Sequence, residues 1–259
     1  MSELKKRFLD GEPLDIPLYD IHAHLGEYNR DYPVFYGRAG EIAKEMDRVG
    51  IVKAVVVPLG IYGTEVSFQN DKLIHDCKTY PGKFVGFPLV NLNNSHVDIE
   101  KELERCRKAG LHGIKLIAAY QNSPGDGKNV EFVCEYADHH KLPILNHSWV
   151  STDFLEKMVK KYPRVEYICG HFGFAWKEIV NAYDNVWLCT CNWLAAGTVD
   201  EMVKEIRTDR ICWGSDFSDL EIGFTLGPIL LSDIDDATKK KILGENTAAF
   251  LEKTQGGVS

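Results

Sequence analysis

Two histidines lie one residue apart in the segment Asp-Ile-His22-Ala-His24, near the beginning of the chain. This segment ends an apolar run typical of a β-strand, in which alternate side chains lie on the same face. The two imidazoles therefore lie side by side, a spacing that suits two ligands of one divalent metal ion. Because a metal ion can activate water, the first chemistry that the sequence suggests is metal-dependent catalysis.

Four further residues that can bind a metal or carry a proton fall within or just after later apolar runs. They are Lys115, His147, His171 and Asp216. Neutral imidazoles and one carboxylate form a ligand set for zinc, and also for manganese, iron or cobalt. An aspartate beside such an ion can take a proton from water and pass it to a leaving group, which is the catalytic role we expect for Asp216.

The elements that must position these residues are short apolar runs separated by segments of helical periodicity. The predicted strands span residues 18–22, 53–58, 84–90, 113–117, 143–147, 165–169, 186–191 and 210–215. The predicted helices span residues 41–49, 71–80, 96–109, 130–140, 152–162, 176–181, 199–206 and 236–251. This alternation predicts an α/β fold with a parallel sheet and helical crossovers. The alternative to a barrel is a doubly wound open sheet, but no Gly-x-Gly-x-x-Gly follows the first strand.

Eight such units in 259 residues favour a (β/α)8 TIM barrel, a single domain covering residues 1–259. In that fold the carboxyl ends of the strands meet at one face, so residues distant in sequence share one site. The loops at 26–39 and 118–127 are expected to determine the substrate. The aromatic residues expected near the pocket, as substrate contacts, are Tyr120, Trp149 and Trp193.

The composition is that of an ordinary globular protein. Hydrophobic residues make up 44% and charged residues 26% of the chain, and the net charge is −8. An acidic chain without a basic block is not expected to bind nucleic acid. No apolar run approaches the ~20 residues of a membrane span, and the N-terminus lacks the pattern of a secretory signal. The seven scattered cysteines predict free thiols and a cytoplasmic location, and a homo-oligomer is expected on general grounds only.

These residues resemble the amidohydrolase superfamily, and within it the amidohydrolase-related branch of metal-dependent hydrolases and decarboxylases. The resemblance is carried by His-x-His on the first strand, histidines on the fifth and sixth strands, Asp on the eighth, and the closing segment 242–248. It implies a (β/α)8 barrel around a divalent metal ion, with zinc first among the candidates. The metal ligands that it implies are His22, His24, His147 and Asp216.

The resemblance also implies that His171 either ligates the metal or hydrogen-bonds the bound water or substrate. Lys115 is open to three interpretations. In binuclear members of the superfamily, a lysine on the fourth strand is carboxylated and bridges two metals. In mononuclear members a lysine at this place could instead meet a substrate carboxylate. An amine that forms a salt bridge with Asp216 or a neighbouring carboxylate is the structural alternative.

Cys189 and Cys191 share one face of the predicted seventh strand. A Cys-x-Cys pair could bind zinc, and Cys191 could act as a nucleophile. We favour packing inside the barrel, because cysteine behaves as a small hydrophobic residue when buried.

The leading functional hypothesis is hydrolysis of a small ester, lactone or amide. Asp216 would act as base and then as acid, while His171 or Lys115 stabilises the oxyanion. The alternative is non-oxidative decarboxylation of a small aromatic or unsaturated acid, for which the same ligands serve. A metal-binding barrel without turnover is the third hypothesis, and the nearly complete acid/base set argues against it.

Overall fold

The computed structural model describes residues 1–26, 37–59, 66–171 and 173–255. Within these residues, eight short parallel strands follow one another in chain order. They are β1 (Leu18–Leu25), β2 (Ile51–Pro58), β3 (Phe84–Gly86), β4 (Ile114–Leu116), β5 (Ile144–Asn146), β6 (Tyr167–Cys169), β7 (Val186–Cys189) and β8 (Ile211–Cys212). Strands β1–β3 form one parallel sheet, and strands β4–β8 form a second.

Backbone contacts join the two sheets at both edges and close them into a barrel. A parallel bridge pairs Leu89, beyond β3, with Lys115 on β4. At the other edge, Ile21 N–H donates to the carbonyl of Trp213 at 3.0 Å, which links β1 to the segment after β8. The (β/α)8 barrel is therefore confirmed, and the doubly wound open sheet, whose two edge strands would stay unpaired, is excluded.

Eleven α-helices accompany the strands in the described residues: one precedes β1, seven connect successive strands, and three follow β8. They are α1 (Glu3–Leu9), α2 (Ala39–Val49), α3 (Val66–Thr79), α4 (His96–Lys108), α5 (Lys128–His140), α6 (Thr152–Lys161), α7 (Lys177–Ala182), α8 (Ala196–Glu205), α9 (Ile222–Leu231), α10 (Asp236–Lys240) and α11 (Asn246–Gln255). No helix in the described ranges has the length and apolar character needed to cross a bilayer.

Three helical features differ from the sequence-based prediction. Helix α1 was not predicted, although Ser2 caps it by accepting a hydrogen bond from Lys5 N–H. Helix α9 was not predicted either, because it contains Pro228, a residue that normally interrupts helices. The predicted last helix at 236–251 is divided by a π-helical turn, Lys241–Glu245, between α10 and α11. The glycine in this turn, Gly244, lies so close to the carbonyl of Pro17 that a Cβ would stand 2.4 Å from that oxygen.

The strands are buried on both faces, which explains why they are nearly continuous apolar runs in the sequence. Alternate residues belong to two separate clusters. One, which includes Leu145, Ile168 and Trp187, lines the inside of the barrel. The other, which includes Ile144 and Tyr167, packs between the strands and the helices. The packed barrel is the rigid support for the residues at its carboxyl-end face.

Strand β1 is irregular where the chemistry was predicted. Its pairing with β2 shifts register between Asp20 and Ala23, on either side of His22. Such irregularities re-aim side chains and are common beside active sites. Residues 27–36 of the predicted substrate loop lie outside the described residues.

Candidate metal centre

The residues predicted to carry chemistry lie at the carboxyl ends of the strands. His22 and His24 are within β1, and Lys115 is within β4. The others follow the ends of β5, β6 and β8 by at most four residues, and they are His147, His171 and Asp216. Because the parallel strands all point the same way, these side chains gather at one face of the barrel.

A compact group of four possible metal ligands lies within this face. His22, His171, Cys191 and Asp216 each offer one ligand atom, and these atoms all lie within 4.8 Å of one another. Donors on one zinc ion lie roughly 3–4.6 Å apart, since each is about 2.0–2.3 Å from the ion. Strands β6, β7 and β8 are adjacent in the sheet, and β1 closes onto β8, so the group spans four neighbouring strands.

Asp216 is the centre of the histidine contacts. Its Oδ1 lies 3.0 Å from His24 Nε2 and 3.5 Å from His22 Nε2. An ionised carboxylate only accepts hydrogen bonds, so His24 Nε2 carries the proton and donates it. Although burial alone raises the pKa of Asp216, the neighbouring His22 and the hydrogen bond from His24 outweigh it and hold this pKa well below its usual range. Asp216 is therefore ionised and able to bind a cation.

The backbone at Asp216 is held in an unusual conformation. Its φ is 56°, in the left-handed region that costs a non-glycine residue roughly 1–2 kcal/mol. Asp216 N–H donates to the carbonyl of His22 at 2.8 Å, which fixes the turn against β1. Strain of this kind occurs where a side chain must be aimed.

Asp20 holds the same turn in place through hydrogen bonds. It was not among the predicted site residues. Its buried carboxylate accepts hydrogen bonds from His22 N–H at 2.9 Å, Ser215 N–H at 3.0 Å and Ser215 Oγ at 2.5 Å. Burial raises the pKa of Asp20 to about 7. The signal in the sequence was an acidic residue inside the predicted first strand, two residues before His22.

Lys115 is fully buried and contacts the histidine pair. Its Nζ lies 2.8 Å from His22 Nε2. Since an ammonium group has no acceptor, His22 Nε2 receives this hydrogen bond through its lone pair. Burial lowers the pKa of Lys115 to about 8, and the negative charge of Asp216 opposes that shift. The amine thus lies beside Asp216 without forming the direct ion pair considered in the sequence analysis.

The histidines are held in the neutral form that metal coordination requires. Burial, reinforced by the charge of Lys115, lowers the pKa of His147 to about 3 and that of His22 well below its usual value. Burial lowers the pKa of His171 to about 4. A neutral imidazole keeps one nitrogen lone pair that can bind a cation at neutral pH, although that of His22 accepts the hydrogen bond from Lys115, which a cation would have to replace.

His147 adjoins the compact group through His171, and their ring centroids are 4.3 Å apart. The ring of Tyr120 lies 4.8 Å from His147, and Tyr120 is 41% exposed, so it stands between the histidines and solvent. Trp193 is buried, and its indole N–H has no partner among the described residues. The Trp149 ring packs in the core against Tyr167, and a substrate contact for this residue stays a prediction.

The donor set fits a divalent metal ion. Imidazole nitrogen, carboxylate oxygen and thiol sulfur are all zinc ligands, and the first two also serve manganese and iron. Besides the compact group, His24 Nδ1 is buried and has no hydrogen-bond partner among the described residues. A buried unpaired nitrogen beside a carboxylate is expected where a cation or a water completes the site.

Comparison with known proteins assigns the chain to a family. A family model described as amidohydrolase matches residues 19–253. The chain therefore belongs to the amidohydrolase family, as its motifs predicted. No curated protein matches the chain by sequence.

Several solved structures share the fold. A dihydroxybenzoic acid decarboxylase from a Polaromonas species, solved with manganese and the inhibitor 2-nitroresorcinol, is 17% identical at a TM-score of 0.72, covering 94% of this chain and 100% of that one. A 2,6-dihydroxybenzoate decarboxylase from Rhizobium is 15% identical, with a TM-score of 0.70 over 92% of this chain and 99% of that one. A 5-carboxyvanillate decarboxylase from Sphingomonas paucimobilis is 13% identical, with a TM-score of 0.70 over 91% and 98%.

Proposed function

We propose that this protein is a metal-dependent hydrolase that acts on a small ester, lactone or amide. The observation that carries the proposal is the position of Asp216, whose Oδ1 lies 3.0 Å from His24 Nε2 and 3.5 Å from His22 Nε2. A carboxylate held beside these imidazoles can accept a proton from water and return it during hydrolysis.

The metal would be held by residues of this histidine-rich face. We propose the ligand set His22, His24, His147 and Asp216, in which His22 and Asp216 also belong to the compact group. A divalent ion held by these residues would supply a Lewis acid for a carbonyl oxygen and would lower the pKa of water to about 7. We propose zinc, since imidazole and carboxylate form common catalytic zinc sites.

The protein's own groups supply the proton transfers and the charge stabilisation. Asp216 accepts the proton of the attacking water and delivers it to the leaving oxygen or nitrogen. The buried ammonium of Lys115 points at the same space from β4 and stabilises a developing oxyanion, with His171 as a second donor. A carboxylated Lys115 that bridges two ions is the alternative, and metal content with the intact mass of the protein separates the two.

Decarboxylation of a small aromatic acid is the second candidate. The observation in its favour is the buried Lys115 ammonium, which could hold a substrate carboxylate. The decarboxylases with the same fold lend this candidate support, although their identity to this chain is at most 17% among those named above. Tyr120 and Trp193 would supply contacts to an aromatic ring in this case.

The test is a parallel assay of metal-free and metal-loaded protein. We expect zinc-loaded protein to hydrolyse members of a panel of small lactones, esters and amides, and metal-free protein to be inactive. Release of CO2 from dihydroxybenzoates or carboxyvanillate without any hydrolysis would replace the first candidate with the second. Hydrolysis that persists after complete removal of metal would refute the proposal.

A cytoplasmic location is part of the proposal. All seven cysteines, each within the described residues, are free thiols, as is typical of a reducing compartment. We also propose that the partner is a small molecule and that any assembly is a homo-oligomer, which gel filtration with light scattering would measure.

A further inference from the structure

Cys191 packs in the cluster that lines the inside of the barrel, as expected, and it also contacts polar groups of the candidate centre. It follows the end of β7 by two residues and is completely buried. Its Sγ lies 3.1 Å from His171 Nδ1 and donates a hydrogen bond to the carbonyl of Gly170 at 2.8 Å. The thiol therefore faces polar atoms at the carboxyl-end face rather than apolar side chains alone.

The neighbouring cysteine provides a comparison on the same strand. Cys189 is equally buried, but its Sγ lies 4.0 Å from His22 Nδ1 and it is not a member of the compact group. Cys189 packs tightly against Gly214, because a Cβ added to Gly214 would lie 2.3 Å from Cys189 Sγ. The packing that we favoured is found for both cysteines, and Cys191 in addition lies among three side chains that can bind a metal ion.

We propose that Cys191 coordinates the metal ion through Sγ, together with His22 and Asp216. This inference rests on the divalent metal of the proposed function and adds a ligand that the family resemblance did not imply. Support comes from two independent observations: the four donor atoms lie within 4.8 Å of one another, and the nearby His24 Nδ1 is buried without a partner among the described residues.

Coordination exchanges one proton for one metal–sulfur bond. The S–H bond of Cys191 breaks, its proton is released to solvent, and the sulfur lone pair binds the ion. The hydrogen bond to the carbonyl of Gly170 is lost in the exchange. Burial, Cys189 and Asp216 raise the pKa of the Cys191 thiol well above its usual value, and the charge of Lys115 opposes them only in part, so the cation itself must displace the proton.

A sulfur donor changes which metal the centre prefers. Thiolate is a soft ligand that favours zinc, whereas manganese prefers oxygen donors. We therefore expect this chain to select zinc over manganese, in contrast to the Polaromonas decarboxylase of the same fold, which was solved with manganese.

The first experiment uses the unmodified protein. Metal-free protein is loaded with one equivalent of zinc. X-ray absorption spectroscopy at the zinc edge then measures the types of the atoms bound to zinc and their distances from it. We expect a sulfur shell at about 2.3 Å beside nitrogen and oxygen at about 2.0–2.2 Å. Loading with cobalt instead should give a sulfur-to-cobalt charge-transfer band in the near ultraviolet.

Two variants assign the sulfur to a residue. We expect C191S to lose the charge-transfer band and to bind zinc more than roughly 100-fold more weakly, since even partners of metal ligands are worth 10–100-fold. The matched variant C189A should retain the band. Circular dichroism and thermal unfolding of the metal-free variants check that both fold.

Each outcome decides the inference. A bound zinc with only nitrogen and oxygen neighbours, together with metal-dependent hydrolysis, would overturn the role of Cys191 and leave the proposed function intact. A band lost in C189A and kept in C191S would also overturn it. Wild-type protein that binds neither zinc nor cobalt would overturn the inference and the metal-dependent function together.

Discussion

Ser215 Oγ donates a hydrogen bond to Asp20 Oδ2 at 2.5 Å, joining two residues that are 195 positions apart. The same carboxylate accepts the backbone N–H groups of His22 and Ser215. We expect Asp20→Ala to lower the free energy of unfolding by about 1–3 kcal/mol, because buried donors lose their acceptor. Metal affinity should fall with it, since the turn that carries Asp216 loses its attachment to β1.

Urea unfolding and zinc titration by competition with a chelator measure these two effects. Asp20→Asn is the control, because the amide keeps an acceptor oxygen for the backbone N–H groups and should lose less. Full zinc affinity in Asp20→Ala would show that the turn is positioned by other contacts.

Asp216→Asn should separate folding from chemistry. The amide is nearly the same size as the carboxylate, so the turn is expected to fold. Without the negative charge, the protein should bind zinc more weakly and its turnover should fall by roughly 10²–10⁴-fold, the usual contribution of a general base. Steady-state rates at saturating zinc measure the chemical loss apart from the loss of metal. Unchanged turnover would remove Asp216 from the mechanism.

We expect Gly214→Ala to destabilise the fold and to disturb the candidate metal centre through steric overlap. A Cβ at this position would lie 2.3 Å from Cys189 Sγ and 3.0 Å from His22 Cβ. Overpacking of this kind costs about 1–3 kcal/mol, and a displaced His22 would weaken metal binding as well. Thermal unfolding and metal content check both effects.

The control for that substitution is Gly197→Ala in α8, where an added Cβ would meet nothing within 4 Å. We expect Gly197→Ala to leave stability the same or raise it, since alanine favours helix. Equal stability losses in the two variants would contradict the steric explanation.

We expect the free energy of unfolding to depend on pH through Glu102, a residue outside the candidate metal centre. Burial raises the pKa of Glu102, but hydrogen bonds from Arg105 and Asn70 outweigh that effect and hold it below the usual value. A lowered pKa in the folded state stabilises the protein above the unfolded value of about 4.3, and the gain disappears as the pH falls through the folded pKa.

We therefore expect Glu102→Gln to lower the free energy of unfolding by about 1 kcal/mol at pH 7, a modest value because the pair is partly exposed. The difference from wild type should shrink below about pH 4. Denaturant unfolding at several pH values measures it, with the exposed Glu100→Gln on the same helix as control. A constant difference at every pH would contradict the role of the charge.

The sequence predicted the barrel because its strands are apolar runs and its helices are amphipathic, and both patterns follow directly from burial. It did not predict α9. Pro228 and two glycines disfavour a helix there, and packing of the apolar side chains stabilises it instead. In the site, spacing along the chain was sufficient to predict that His22 and His24, which share one strand, lie close together. The proximity of Cys191 to Asp216 depends on how neighbouring strands are staggered, which spacing along the chain does not encode.

The link between β1 and the segment after β8 fixes when this protein becomes competent during its synthesis. His24 leaves the ribosome 192 residues ahead of Asp216, its hydrogen-bond partner. A nascent chain that stops before Asp216 has the first pair of imidazoles but lacks the carboxylate and the turn that aims it. Under the proposed ligand set, the centre is therefore complete only after synthesis has passed Asp216.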